Sequence, residues 1–270
     1  MNRIDKTLMR LKENGKKMLS PYITAGDPYP EMTVKLMHDL VKAGADVLEL
    51  GIPFSDPMAE GPVIQRAMER ALAQDVNCHT VLAMVKEFRL QDQNTPVVIM
   101  GYLNPIEHFG YELFAQKALE SGVDGTILVD LPPEESEEVT KIWQKHGLYS
   151  IFLCSPTTSD ERMKLINQFA KGYLYYVSLK GVTGSDALDI SSVKSQYQHL
   201  KSQTKLPLMV GFGIKTPEMA AEIAGFADGV IVGAALITRI LDAYNIDGDM
   251  LQAGADLIQS MRHAMDEHLK

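Results

Sequence analysis

The chain has 270 residues, a formal net charge of −9, 46% apolar residues and 23% charged residues, an ordinary balance for a globular protein. An acidic chain with one Trp and no long Lys/Arg run is a poor nucleic-acid binder. No apolar run reaches the roughly 18 residues of a membrane span, and the stretch Met1-Asn2-Arg3-Ile4-Asp5-Lys6 lacks the apolar core of a signal peptide.

In chain order, Lys6–Lys12 reads as a first helix. Eight short apolar runs then read as strands: Leu19–Thr24, Val47–Gly51, Val97–Gly101, Thr126–Val129, Ser150–Cys154, Leu174–Leu179, Leu206–Gly211 and Gly229–Val232. Their apolar residues are successive, the pattern of strands covered on both faces. Helical patterns lie between them, among them Met32–Ala43, Gln65–Ala73, Tyr111–Ser121, Glu135–Lys145 and Glu218–Ala224, and Met250–Leu269 reads as a last helix. Gly44-Ala45-Asp46, Gly122-Val123-Asp124 and Gly225-Phe226-Ala227-Asp228 each lead into a strand. A glycine in the left-handed conformation is expected to end the preceding helix in all three. Asp27-Pro28, Pro132-Pro133-Glu134-Glu135 and Thr216-Pro217-Glu218 have the composition of helix starts.

No linker, charge block or low-complexity tract divides the chain, so residues 1–270 are expected to form one domain. Eight units of about 34 residues suit a (β/α)8 barrel. An open doubly wound sheet is the rival, and it normally carries GxGxxG after its first strand; here Thr24-Ala25-Gly26-Asp27 stands instead. The expected fold class is therefore α/β, a (β/α)8 TIM barrel with an extra N-terminal helix that closes the barrel bottom.

Barrel chemistry sits at strand C-termini and the loops after them. Glu49 lies between Leu48 and Leu50. If those leucines pack on the helix layer, Glu49 points inward, where an unpaired carboxyl has a raised pKa suited to acid–base work; the alternative is a Glu paired with a nearby cation. The loop Ile52–Pro62 is stiffened by prolines and carries two more acids, Asp56 and Glu60. It is either a functional lid or a solvated surface loop. Gly181-Val182-Thr183-Gly184, Gly211-Phe212-Gly213 and Gly233-Ala234-Ala235 end three adjacent strands. Backbone N–H groups there, with a helix N-terminus after Gly233, suit a phosphate; the alternative is three tight turns.

Cys154-Ser155 has no nearby His and makes a poor nucleophile, and Lys180 is a weak Schiff-base possibility. Cys78 and Cys154 are expected as reduced buried thiols in a cytoplasmic protein, with a disulfide still possible. The seven scattered histidines, with no i, i+4 pair and no CxxC, point away from a metal site.

The run Leu48-Glu49-Leu50-Gly51-Ile52-Pro53-Phe54-Ser55-Asp56-Pro57, with Asp130-Leu131-Pro132, Gly181-Val182-Thr183-Gly184 and Gly211-Phe212-Gly213-Ile214, resembles the alpha chains of tryptophan synthase from first strand to last. The resemblance implies a lyase that cleaves indole-3-glycerol phosphate to indole and glyceraldehyde 3-phosphate by a retro-aldol step, without metal or Schiff base. It implies Glu49 as acid–base and Glu60 as the carboxylate facing the indole N–H. It implies Tyr22, Met100 and Ile127 in the indole pocket, Tyr175 beside the catalytic Glu, Thr183 on a closing loop and Phe212 against the substrate. Gly184, Gly213, Gly233 and Ala234 match phosphate contacts. The family pattern has Asp where Glu60 stands and Ser where Ala234 stands. A pyridoxal-phosphate-dependent beta chain is the implied partner, in an α2β2 assembly, with contacts at Pro53, Asp56, Pro57, Asn104 and Pro132. No cofactor is implied for this chain. Two other readings stay open: a non-catalytic barrel that activates the beta chain, and a Schiff-base aldolase using Lys180.

Overall fold

The structure is a computed structural model that describes residues 1–178, 190–211 and 213–269. Among these residues nine parallel strands form one sheet: β1 (Met18–Thr24), β2 (Leu48–Gly51), β3 (Val97–Gly101), β4 (Gly125–Leu128), β5 (Tyr149–Ser150), β6 (Leu153–Cys154), β7 (Leu174–Val177), β8 (Leu208–Gly211) and β9 (Gly229–Val232). The order is β5-β4-β3-β2-β1-β9-β8-β7-β6. Its two ends are one stretch of chain. Ile151 N–H donates to Thr126 O (2.9 Å) on one side, and Tyr175 N–H donates to Phe152 O (3.0 Å) on the other. Residues 149–154 thus act as a single fifth stave, and the sheet closes as the expected (β/α)8 barrel.

Side-chain alternation sorts the core into two layers. Leu48 and Leu50 of β2, Val97 and Ile99 of β3 and Leu128 of β4 pack outward under the helices. Val47, Val98, Ile127, Tyr173, Met209 and Ile231 fill the barrel interior. The helix Arg3–Glu13 inserts Ile4 and Leu11 into the same interior cluster, closing the bottom as expected. Asn2 caps it by accepting the Ile4 N–H. At the other end of the chain, the helix Met250–His268 packs on the helices Thr33–Lys42, Pro217–Ala224 and Ala234–Asn245.

The Gly…Asp repeat has a role beyond stopping helices. Asp46 accepts the Leu19 N–H (3.1 Å), Asp124 the Val97 N–H (2.9 Å) and Asp228 the Leu208 N–H (2.9 Å). Each Asp leads into its own strand while binding the start of a neighbouring one, and so pins the bottom edge of the barrel. Cations complete the pins: Arg10 and Arg262 on Asp46, Arg3 and Arg89 on Asp124, Lys201 on Asp228.

Three local expectations are corrected. Gly44 (φ +108°) and Gly122 (φ +86°) are left-handed, but Gly225 has φ −61° and stays helical. The extra residue Phe226 gives the third repeat room to leave its helix without a left-handed turn. Asp27 caps no helix. Its carboxylate takes both Arg70 Nε (2.6 Å) and Nη2 (3.0 Å), and the helix Thr33–Lys42 starts from a 3-10 turn at Pro30–Met32. Pro133–Glu135 is likewise a 3-10 turn, and Glu137–Lys145 follows without a side-chain cap. Thr216 does cap, accepting the Met219 N–H.

Cys78 and Cys154 are free and buried, and burial pushes their thiols up to about 11 and about 12. Neither is a nucleophile at neutral pH. No helix of the described residues is long and apolar enough to cross a membrane.

Candidate active site

Glu49 is fully buried and points into the barrel, level with Tyr22 on β1 and Val98 on β3. Tyr173 donates its hydroxyl to Glu49 Oε1 at 2.8 Å, while Oε2 is buried without a hydrogen-bond partner. Among the described residues no cation pairs with the carboxyl, against the ion-pair alternative. Burial raises its pKa to about 8, against the opposing hydrogen bond from Tyr173. At neutral pH the group therefore holds a proton that it can give away.

Glu60 approaches the same space from above. Ile52 N–H continues the ladder to Met100 O (2.8 Å), and the loop then crosses the barrel mouth before the helix Pro62–Leu72. Its two acids part company. Asp56 is exposed and accepts the Ser55 hydroxyl, whereas Glu60 is half-buried. Burial lifts Glu60 to about 7, with the nearby Tyr102 hydroxyl pulling the other way. Both carboxyls act on the same two tyrosines, since Glu49 and Glu60 each raise the hydroxyl pKa of the buried Tyr22 and of Tyr175. The sequence separates these acids; the barrel brings both within electrostatic reach of Tyr22 and Tyr175.

The apolar wall follows the strand register. Met100 lies beside Ile127 across β3 and β4, and Met100 also packs with Tyr22. Tyr22 is not simply apolar, because its hydroxyl meets the Thr24 hydroxyl at 3.2 Å. The tyrosine bonded to Glu49 is Tyr173, two residues before Tyr175. Tyr175 instead places its hydroxyl over Gly211, where any Cβ would overlap it. A Gly211→Ala change is expected to displace Tyr175 and cost about 1–3 kcal/mol, read as a lower urea midpoint. Tyr173 and Tyr102 were missed by sequence reasoning. Their signals were present: Tyr173 shares the inward face with Tyr175 by the two-residue period, and Tyr102 directly follows a strand end.

At the far side of the mouth, β8 ends in Gly211 and Gly213 follows with φ +81°. Gly233 is the N-cap of the helix Ala234–Asn245, so its neighbour Ala234 opens the helix. Backbone donors and a helix dipole meet there, as an anion site needs. Phe212, Thr183, Gly184 and Lys180 lie outside the described residues. Asp56 and Asn104 are exposed, Pro57 and Pro132 half-exposed, and Pro53 is buried within the chain. Among the described residues no three His, Cys, Asp or Glu side chains gather as a metal group would require.

A barrel whose C-terminal mouth tunes two carboxyls toward neutrality is an acid–base enzyme of the (β/α)8 class. Which one is settled by comparison with known proteins. The family model described as "Tryptophan synthase alpha chain" matches residues 8–266, and the chain belongs to that family. It is 73% identical over 266 residues to the tryptophan synthase alpha chain of Legionella pneumophila (strain Lens), covering 98% of each. It is 54% identical over 267 residues to that of Marinobacter nauticus, again covering 98% of each. A crystal structure of the Legionella pneumophila (strain Paris) alpha subunit superposes with a TM-score of 0.95 at 70% identity, covering 99% of both chains. The alpha chain is the lyase subunit of tryptophan biosynthesis that cleaves indole-3-glycerol phosphate, and it works with a beta chain.

Proposed function

We propose that Glu49 and Glu60 carry out the cleavage of indole-3-glycerol phosphate between them. Glu49, protonated at neutral pH, gives its proton to indole C3. The ring becomes an indolenine with positive charge on its N–H, and the Glu60 carboxylate accepts that N–H and stabilises the charge. Glu49, now a carboxylate, takes the proton of the side-chain hydroxyl on the carbon attached to C3. The carbon–carbon bond breaks, its electron pair restores the aromatic ring, and the carbonyl of glyceraldehyde 3-phosphate forms. The observation that carries this reading is the buried Glu49, bonded only to Tyr173 among the described residues, with both carboxyls near Tyr22 and Tyr175. Burial raises Glu49 to about 8 and Glu60 to about 7. One group starts as acid and the other as base, as the two steps need.

The phosphate falls to the backbone at Gly213, Gly233 and Ala234, joined by Gly184. Ala234 supplies its N–H but no hydroxyl. Tyr22, Met100 and Ile127 enclose the ring, Phe212 and Tyr175 flank the substrate, and Thr183 belongs to a loop that closes over it.

Glu60→Asp tests whether the site is built around the longer acid. Glu60→Asp shortens the reach by about 1.5 Å, and a displacement of that order costs about a hundredfold. With the beta chain present, indole release by this variant is expected to fall roughly 10–100-fold. A gain in rate would mean that the site works better with the shorter acid.

In this reading the chain assembles with the beta chain as an α2β2 complex in the cytoplasm. Pro53–Pro57, Asn104 and Pro132 follow the ends of the adjacent strands β2, β3 and β4, so one side of the barrel mouth faces the partner. Pyridoxal phosphate belongs to that partner, and this chain takes no cofactor.

A further inference from the structure

The loop that carries Glu60 holds itself weakly. Within it, Glu60 N–H reaches Pro57 O at 3.3 Å, and the Ser55 hydroxyl binds only its neighbour Asp56. Met58 and Ala59 are exposed. Gln65 Nε2 on the following helix donates to Glu60 O at 2.9 Å, and the other firm contacts from outside the loop converge on one side chain.

Tyr102 is 1% exposed and directly follows β3. Its backbone is fixed on both sides. Gly101 before it is in the strand ladder, and Leu103 after it gives its N–H to Asp130 Oδ1 at 2.7 Å. The ring stacks on Phe54 near the start of the loop, with centroids 5.2 Å apart and planes at 29°. The hydroxyl accepts the Ala59 N–H at 3.1 Å near the end of the loop. The Glu60 carboxyl lies near enough to the same hydroxyl that each group shifts the other's pKa. A phenol can accept and donate at once, so holding the Ala59 N–H leaves its own O–H free to turn toward Glu60.

We propose that Tyr102 is the positioning residue of the lyase site, a clamp that grips the loop at Phe54 and Ala59 and so fixes where the adjoining Glu60 carboxylate meets the substrate. The proposal rests on the reading of Glu60 as the group that faces the ring N–H. Glu has one more rotatable bond than Asp, and so more rotamers that miss the target. A hydroxyl held on a rigid strand end selects among them. The clamp also sets charge: an O–H donated to a carboxylate favours the ionised form and opposes the burial that raises Glu60.

Tyr102→Phe keeps the ring and its stack and removes only the hydroxyl. In the complex with the beta chain, kcat for indole-3-glycerol phosphate cleavage is expected to fall roughly 10–100-fold, with KM changed less than about threefold. The acidic limb of the pH profile moves upward, because Glu60 loses the neighbouring O–H that favours its charge. A purely structural role would lower thermal stability and leave that limb in place. An unchanged kcat and an unmoved limb overturn the proposal. Glu60→Gln, run alongside, separates the two ideas. An inactive Glu60→Gln with a normal Tyr102→Phe rejects the clamp alone, whereas a fully active Glu60→Gln rejects the role of Glu60 itself.

Discussion

Glu49→Gln is expected to lower indole release from indole-3-glycerol phosphate by about 100- to 10,000-fold, the range for a positioned acid–base group. The amide keeps the size of the side chain and can still accept the Tyr173 hydroxyl, so the barrel interior stays packed. What it lacks is a proton to give and a charge with which to take one back. Full activity in this variant, assayed with the beta chain, would remove Glu49 from the mechanism.

The same change carries a second reading in stability. The folded state raises the Glu49 carboxyl from 4.5 to about 8, so the native protein binds the proton more tightly than the unfolded chain does. The wild type therefore loses stability relative to Glu49→Gln as pH climbs from about 4.5 to about 8. The gap then stays constant, reaching at most about 5 kcal/mol. Urea unfolding of both proteins at pH 5 and pH 9 measures it, and an equal difference at the two pH values would contradict the buried protonated carboxyl. Activity follows the pair of acids. Glu60 must be ionised and Glu49 protonated at the first step, so kcat/KM is expected to peak between about 7 and about 8.

Asp124→Ala is expected to cost about 3–5 kcal/mol of stability, the penalty for stranding a buried partner charge. The Asp124 and Arg89 side chains are 3% and 7% exposed and meet at 2.9 Å. Asp124 also accepts the Val97 N–H and pairs with Arg3 of the closing helix. Removing its carboxylate leaves the buried Arg89 charge uncompensated and Arg89 Nη2 and a strand N–H without acceptors, while Nε and Nη1 keep the Gly122, Asp92 and Thr95 carbonyls. The site lies at the other end, so the remaining folded protein should keep its kcat. A urea midpoint within error of wild type would contradict the pinning role of the Gly…Asp repeat.

Much of the fold was legible because its signals are local. The double-sided apolar runs marked the staves, and Leu48-Glu49-Leu50 showed which face Glu49 takes, since side chains alternate along any strand. The paired role of Asp46, Asp124 and Asp228 was not legible. Each acid binds a strand that is remote in sequence, and only the closed sheet brings that strand alongside. Gly225 shows the limit even of local patterns, as one inserted residue removed the need for a left-handed turn.

The site divides in the same way. Residue type and strand position were enough to nominate Glu49, the acids of the second loop and the terminal glycines. The resemblance already assigned Glu60 rather than Asp56; tertiary structure supplies the physical reason, because the loop turns one acid inward and leaves the other in solvent. It chose Tyr173 over Tyr175 as the partner of Glu49, although both share the inward face, because contact across a barrel depends on depth along the stave as well as on facing. It also made Tyr102 the hold on the loop. Alternation and turn chemistry are written along the chain. Depth, burial and the pKa values that follow from them exist only once the strands have closed around the interior.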